Sequence, residues 1–239
     1  LKFNDKFKIF FFLLFLLIFN NIFIFEGNQE VLVFSYATFL TYFVFEFRKS
    51  LADKKIVLFL LMNFFILFWI KNEAFLFSII FFISMAIFMP NKKTTFLLGF
   101  ILLILSRIFL YKFFSFDLNL QAGNYEKVDL SYLIGIITFD RILTIFKYAI
   151  FSSFKTPIII LIIISCFLIF YLKRNFIIKL FSINLLLSLV LFFLAYLSTT
   201  FPLKFHLLTS ADRLLFQIAG FSVILVILLL NEFKRKKLF

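Results

Sequence analysis

Apolar runs of helix length follow one another along almost the whole chain, separated by short polar breaks. They fall at about 8–25, 31–47, 56–70, 74–90, 95–112, 157–172, 176–198 and 213–231. A membrane span needs roughly 20 predominantly apolar residues, with a usual range of about 17–25. The pattern therefore predicts an all-α, polytopic integral membrane protein with about eight transmembrane helices. Several runs are short, so re-entry or boundary shifts of a few residues are expected. The longest polar interval, 115–131, holds Asp117, Gln121, Gly123, Asn124, Glu126, Lys127 and Asp129.

One segment has a different rhythm. Within 132–153, Ile136, Phe139, Leu143, Phe146 and Ile150 recur at helical spacing, while Asp140, Arg141, Thr144 and Lys147 fall towards another face. Such an amphipathic pattern suits a helix lying in the membrane interface rather than crossing it.

Charge settles the choice. The positive-inside rule asks for lysine and arginine clusters on one side only. With a cytoplasmic N-terminus and 132–153 held in the interface, five basic clusters share the inner side: Lys2/Lys6/Lys8, Arg48/Lys49/Lys54/Lys55, Lys92/Lys93, Lys173/Arg174/Lys179 and Lys234–Lys237. If 132–153 crossed, the last two clusters would move outside. The interfacial reading wins, and both termini are expected in the cytoplasm of a plasma (inner) membrane protein. The outer side then collects the mixed charges: Glu26, Glu30, Glu73, Asp117, Glu126, Asp129, Asp140 and Asp212, with Arg107, Lys112, Arg141, Lys204, His206 and Arg213 near them.

Composition agrees with this class. Of 239 residues, 64% are hydrophobic, with a mean hydropathy of +1.12, more than a soluble domain of this length can cover. The 45 phenylalanines resemble the coding bias of an AT-rich genome and need no function of their own. A net charge of +13 sits in clusters too short and too close to the membrane for nucleic acid, which is not expected as a partner. Cys166 is the single cysteine, which excludes a disulfide within the chain, a thiolate metal site or a CxxC pair. The basic start at Leu1 lacks a small-residue cleavage pattern, and its apolar run continues to Phe25, long enough to span.

Four places carry candidate chemistry. Lys71-Asn72-Glu73 interrupts two apolar runs. The lysine can neutralise a phosphate while the glutamate holds a sugar hydroxyl or an arginine; a polar turn reaching interfacial water accounts for the tripeptide equally well. Glu26-Gly27-Asn28-Gln29-Glu30 is a short outer loop, in which Glu30 fits the first turn of the following helix, favoured there by the helix dipole. Glu26 has no such explanation. In Thr209-Ser210-Ala211-Asp212-Arg213, Ser210 or Asp212 can cap the last helix. Arg213 would oppose the dipole there and so calls for an anion, in the protein or in a ligand, with Gln217 one turn deeper on the same face. Arg213 is the leading phosphate-ligand candidate. His206, the only histidine, reads as an interfacial polar residue, and no metal-ligand spacing, nucleophile elbow or glycine-rich phosphate loop is present.

The order of Gly27-Asn28-Gln29-Glu30, Trp69-Ile70-Lys71-Asn72-Glu73, a polar outer loop, the Arg141 segment and Ser210-Ala211-Asp212-Arg213 resembles the latter part of a GT-C glycosyltransferase. Many bacterial members carry a Lys-(Asn)-Glu motif at an outer helix end, and several have an Asp-Arg-like pair leading into a late helix. The resemblance implies transfer of a sugar from a polyprenyl-phosphate donor to an envelope glycan or lipid acceptor on the outer face, with membrane lipid and the polyprenyl-linked sugar as partners. No cofactor is implied beyond that donor. It implies phosphate contact by Lys71 and Arg213, supported by Arg141, and places Glu73, Glu26 and Asp212 beside those cations or on sugar hydroxyls. Members of the family carry a catalytic acidic residue in a first large outer loop. No such loop precedes Glu26, so the resemblance implies a fragment lacking its general base and inactive alone. A non-enzymatic membrane subunit or a lipid-linked substrate transporter is the alternative from another class.

Overall fold

The computed structural model describes residues 29–51, 53–70, 72–89, 93–113, 138–171, 176–199 and 202–235. All regular structure among them is helical: α1 (Gln29–Glu46), α2 (Lys54–Ile70), α3 (Asn72–Phe88), α4 (Lys93–Phe113), α5 (Phe139–Lys155), a 3-10 turn (Pro157–Ile159), α6 (Ile160–Tyr171), α7 (Phe176–Leu197) and α8 (Leu203–Arg235). The first predicted span at 8–25, Glu26, Lys71 and the polar interval at 115–131 lie outside the described residues.

Helix α8 is the hub, packed by α1, α5, α6 and α7. Of its apolar stretch, 83% is buried, against 50% for α7, so α8 is a core helix and α7 faces outward on one side. Stacked, tilted and edge-on phenylalanines join the helices: Phe34 on Phe216 at 4.9 Å, Phe64 on Phe81 at 4.7 Å, and Phe77 on Phe221 at 5.8 Å. Aromatic faces and edges attract in these arrangements beyond simple burial. The abundant phenylalanine therefore contributes much of the interhelical packing.

The same contacts fix helix directions. Glu30 meets Arg213 and Thr38 meets Gly220, so α1 and α8 run parallel. Phe68–Phe75 and Phe64–Phe81 make α2 and α3 antiparallel. Phe82–Phe96 with Arg107 over Phe75 does the same for α3 and α4. Phe88–Phe176 and Phe81–Phe181 set α7 against α3. One end of the bundle thus holds the N-termini of α1, α3 and α8 with the C-termini of α2, α4 and α7. Arg48, Lys49, Lys54, Lys55, Lys93 and Lys179 all lie towards the opposite end.

Where α1 crosses α8 the backbones touch. A Cβ on Gly220 would lie 2.5 Å from the Phe34 carbonyl oxygen and 3.0 Å from the Ala37 Cβ. Thr38 Oγ1 donates towards the carbonyls of Phe34 (2.9 Å) and Gly220 (3.1 Å), tying the two helices. Small residues that admit close backbone approach, with a hydroxyl bonded across, are how helices associate where lipid removes the hydrophobic drive.

Two findings differ from the sequence reading. Among the described residues, Phe176–Leu197 and Leu203–Asn231 are long and apolar enough to cross a membrane, and a third crossing is reached if the bent pair at α5–α6 counts as one, against the eight expected. Helices α2 and α3 have 17 residues each and α6 has 12. At 1.5 Å per residue, the 17-residue helices reach about 26 Å, short of a hydrocarbon core of about 30 Å. The last helix also starts earlier than expected, at Leu203. Pro202 starts it, its carbonyl accepting from the His206 N–H at 3.1 Å. Ser210 and Asp212 are therefore not caps. Thr209 and Ser210 donate back to the carbonyls of Phe205 and His206 at 3.0 and 2.7 Å, which lets cap-type residues sit inside a helix.

Within the amphipathic segment, helix α5 starts at Phe139, with Thr138 as its N-cap accepting from the Arg141 N–H at 3.3 Å. Pro157 lacks an N–H and cannot continue the helix, and the chain bends by 115° into α6. Ile145 is buried against the bundle, while Phe139, Leu143, Phe146, Ile150 and Phe154 stand exposed along one stripe, Phe139 and Phe154 by 77% and 78%.

Candidate functional site

The end of the bundle opposite the basic clusters gathers the polar side chains. Its centre is an ion pair between the first turn of α1 and the third turn of α8. Arg213 Nε donates to Glu30 Oε1 at 2.7 Å, and Nη2 reaches the same oxygen at 2.5 Å. Exposure is unequal. The Glu30 side chain is 1% exposed and that of Arg213 43%, so a sealed carboxylate holds a half-exposed arginine. Glu30 gains twice, from the guanidinium and from the positive end of the α1 dipole. Asp212, half-buried beside the pair, accepts from the Arg213 backbone N–H at 3.2 Å.

One to two turns nearer the start of α8 lies a second polar contact. Arg141 of α5 donates through Nη2 to the carbonyls of Tyr196 (3.0 Å) and Thr199 (2.8 Å), at and just past the end of α7. A cation there meets carbonyls that a helix C-terminus leaves without intrahelical donors, and it meets the negative end of the dipole. Tyr196 Oη bonds Ser210 Oγ at 2.8 Å, and His206 Nδ1 bonds Thr199 Oγ1 at 2.8 Å, so α5, α7 and α8 are joined side by side. His206, Ser210, Arg213 and Gln217 share one face of α8 by their spacing. Gln217, at 1% exposure, has no hydrogen-bond partner for Oε1 among the described residues.

The third feature surrounds the junction of α2 and α3. The Arg107 guanidinium of α4 lies 4.6 Å from the ring centroid of Phe75, 5.5 Å from Phe68 and 6.0 Å from Trp69. These rings flank the 71–73 tripeptide in sequence. Cation–π contacts contribute about 0.5–1 kcal/mol when exposed and about 2 kcal/mol when desolvated. They let an arginine near the end of an apolar helix avoid facing lipid.

Of the residues singled out in the sequence, Arg213 and Asp212 lie together at the ion pair and Arg141 in the adjoining contact. Asn72 and Glu73 belong to the first turn of α3 at the same end of the bundle, and Lys71 and Glu26 fall outside the described residues. Arg213 does not stand at a helix N-terminus, since α8 has already run through more than two turns. Its need for an anion is real all the same, and Glu30 meets it. Glu30 lies in the first turn of α1, as its place in the sequence predicts, but its pairing with Arg213 is not legible there; the side of the membrane expected for both is the one available signal. The Arg107 cage was also missed, because no spacing rule selects three rings among so many. Among the described residues no group of three or more histidine, cysteine, aspartate or glutamate side chains is placed to hold a metal. No protein-family model matches this chain, and neither a curated protein nor a solved structure matches it.

Proposed function

We propose that this chain is a membrane-embedded part of a GT-C-type glycosyltransferase, acting on a polyprenyl-phosphate sugar at the polar end of the bundle. In this reading the described helices other than α5, together with the 8–25 run, make about eight crossings, with local thinning of the bilayer and snorkelling of flanking residues covering the short ones. The basic clusters mark the cytoplasmic face. Helix α5 lies in the outer interface with its exposed phenylalanine stripe in the acyl region.

The carrying observation is the half-exposed Arg213 side chain, held through Nε and Nη2 by a sealed carboxylate. Inverting displacement at a glycosyl phosphate requires a carboxylate base and stabilisation of the leaving phosphate. A half-exposed arginine held by Glu30 suits the second task, and Lys71 would share it. Asp212, Glu73 and Glu26 would bind sugar hydroxyls or hold the cations. The base would come from outside this chain.

The test uses the whole protein in vesicles with a polyprenyl-phosphate sugar donor. Arg213→Ala is expected to abolish transfer while membrane insertion is retained, and Arg213→Lys to restore part of it. Wild-type turnover in Arg213→Ala would remove the assignment. A non-enzymatic membrane subunit is the second reading, favoured by one observation: both Arg213 and Arg141 have partners inside the protein. Under it, Glu30→Gln combined with Arg213→Gln would leave function intact.

A further inference from the structure

We infer that Arg107 is a positioning residue, fixing the α2–α3 junction that carries Lys71-Asn72-Glu73. This rests on the reading above for what the junction does, but not for how it is held. Phe68 and Trp69 are the last aromatic residues before the tripeptide, and Phe75 is the first after it. One guanidinium from a third helix lies over all three, at 5.5, 6.0 and 4.6 Å. The rings also pack on one another, Phe68 against Phe75 at 4.7 Å and 80°, and Phe68 against Trp69 at 5.7 Å and 66°.

The consequence is geometric. Helices α2 and α3 are antiparallel and only one residue separates Ile70 from Asn72 in the sequence, so their relative rotation sets how the first turn of α3 is presented. Edge-to-face pairing leaves ring faces available, and the positive guanidinium occupies the negative faces on both sides of the junction at once. Arg107 thereby clamps the end of α2 to the start of α3. Its planar, delocalised cation stacks where a lysine ammonium acts only as a point charge.

The test reads the junction directly. In the whole protein carrying Cys166→Ser, with serine at any cysteine and phenylalanine at any tryptophan outside this chain, a spin label is attached through Asn72→Cys, and Trp69, the one tryptophan of this chain, gives an independent emission signal. Arg107→Leu is expected to raise label mobility and shift Trp69 emission, with Arg107→Lys recovering part of both. Phe75→Leu, which removes the nearest ring but no charge, should loosen the label in the same way and covers the case in which Arg107→Leu fails to insert. With unlabelled protein, sugar transfer by Arg107→Leu should fall about thirtyfold in kcat, the scale of one desolvated cation–π contact, with KM little changed. Unchanged label mobility in Arg107→Leu and Phe75→Leu would overturn the inference, as would a loosened junction with unchanged kcat. If the wild-type protein transfers no sugar, the proposed function falls, and label mobility alone decides whether Arg107 holds the junction.

Discussion

Helices α8 and α4 are built from the same two ingredients in opposite settings. Each has an arginine towards the polar end of the bundle and a glycine about two turns deeper: Arg213 with Gly220, and Gly99 with Arg107. On α8, at the centre, the arginine meets a sealed carboxylate and the glycine meets the backbone of α1. On α4, at the edge, the arginine meets aromatic faces, and a Cβ on the glycine would first meet the end of the Leu61 side chain, at 2.7 Å. Residue type does not set how strict a position is. What does is whether the neighbour is backbone and buried charge, which cannot move or be re-solvated, or a side-chain tip and a ring, which can adjust.

The strongest way to break this comparison is at the ion pair. Arg213→Leu leaves Glu30 buried without its cation, and removing one partner of a buried pair costs about 3–5 kcal/mol; the half-open Arg213 places the loss near 3 kcal/mol. Denaturation of the reconstituted protein should show that loss. Combining Arg213→Leu with Glu30→Gln should recover much of it, because the stranded charge is gone. A double variant no more stable than Arg213→Leu would mean that the pair is not what holds α1 to α8.

Gly220→Ala comes next. The new methyl would press on the Phe34 carbonyl oxygen and Cα, 2.5 and 3.1 Å away, with no flexible atom to yield. Overpacking of this kind costs about 1–3 kcal/mol. The two helices must separate, which also lengthens the Thr38–Gly220 and Glu30–Arg213 contacts. Stability should drop by about 2 kcal/mol, and crosslinking between cysteines introduced on α1 and α8 should slow. Unchanged stability would show that the crossing has slack.

The sequence made some of this legible. Apolar runs foretold the described helices, and the basic residues at 48–55, 93 and 179 foretold which of their ends lie together, because both depend only on local order along the chain. The anion required by Arg213 was legible too, but not its identity, since Glu30 lies 183 residues away and only the parallel crossing at Gly220 brings it there. The start of α8 was misread because Thr209 and Ser210 have the side chains of caps, and only their back-bonding to Phe205 and His206 shows them to be inside a helix. The stripe on α5 was visible as a period. That Phe139, Leu143 and Phe146 would face outward, with Ile145 inward, depended on packing that no period encodes.

Gly99→Ala is the smallest effect and sharpens the comparison most. In a helix interior, alanine is favoured over glycine by about 0.5–1 kcal/mol, because the unfolded glycine has more freedom to lose. Against that gain stands one close contact, to Leu61 Cδ2, since Phe82 at 3.4 Å is at ordinary distance. Leu61 is only partly buried and can turn its terminal methyls at a cost of order 0.5 kcal/mol. The two terms nearly cancel. Gly99→Ala should therefore change stability by less than about 0.5 kcal/mol, the usual bound for a change that touches no fixed feature, where Gly220→Ala removes several times that. A loss at Gly99 as large as at Gly220 would mean that α4 is clamped as tightly as α8, and the distinction between centre and edge would fail.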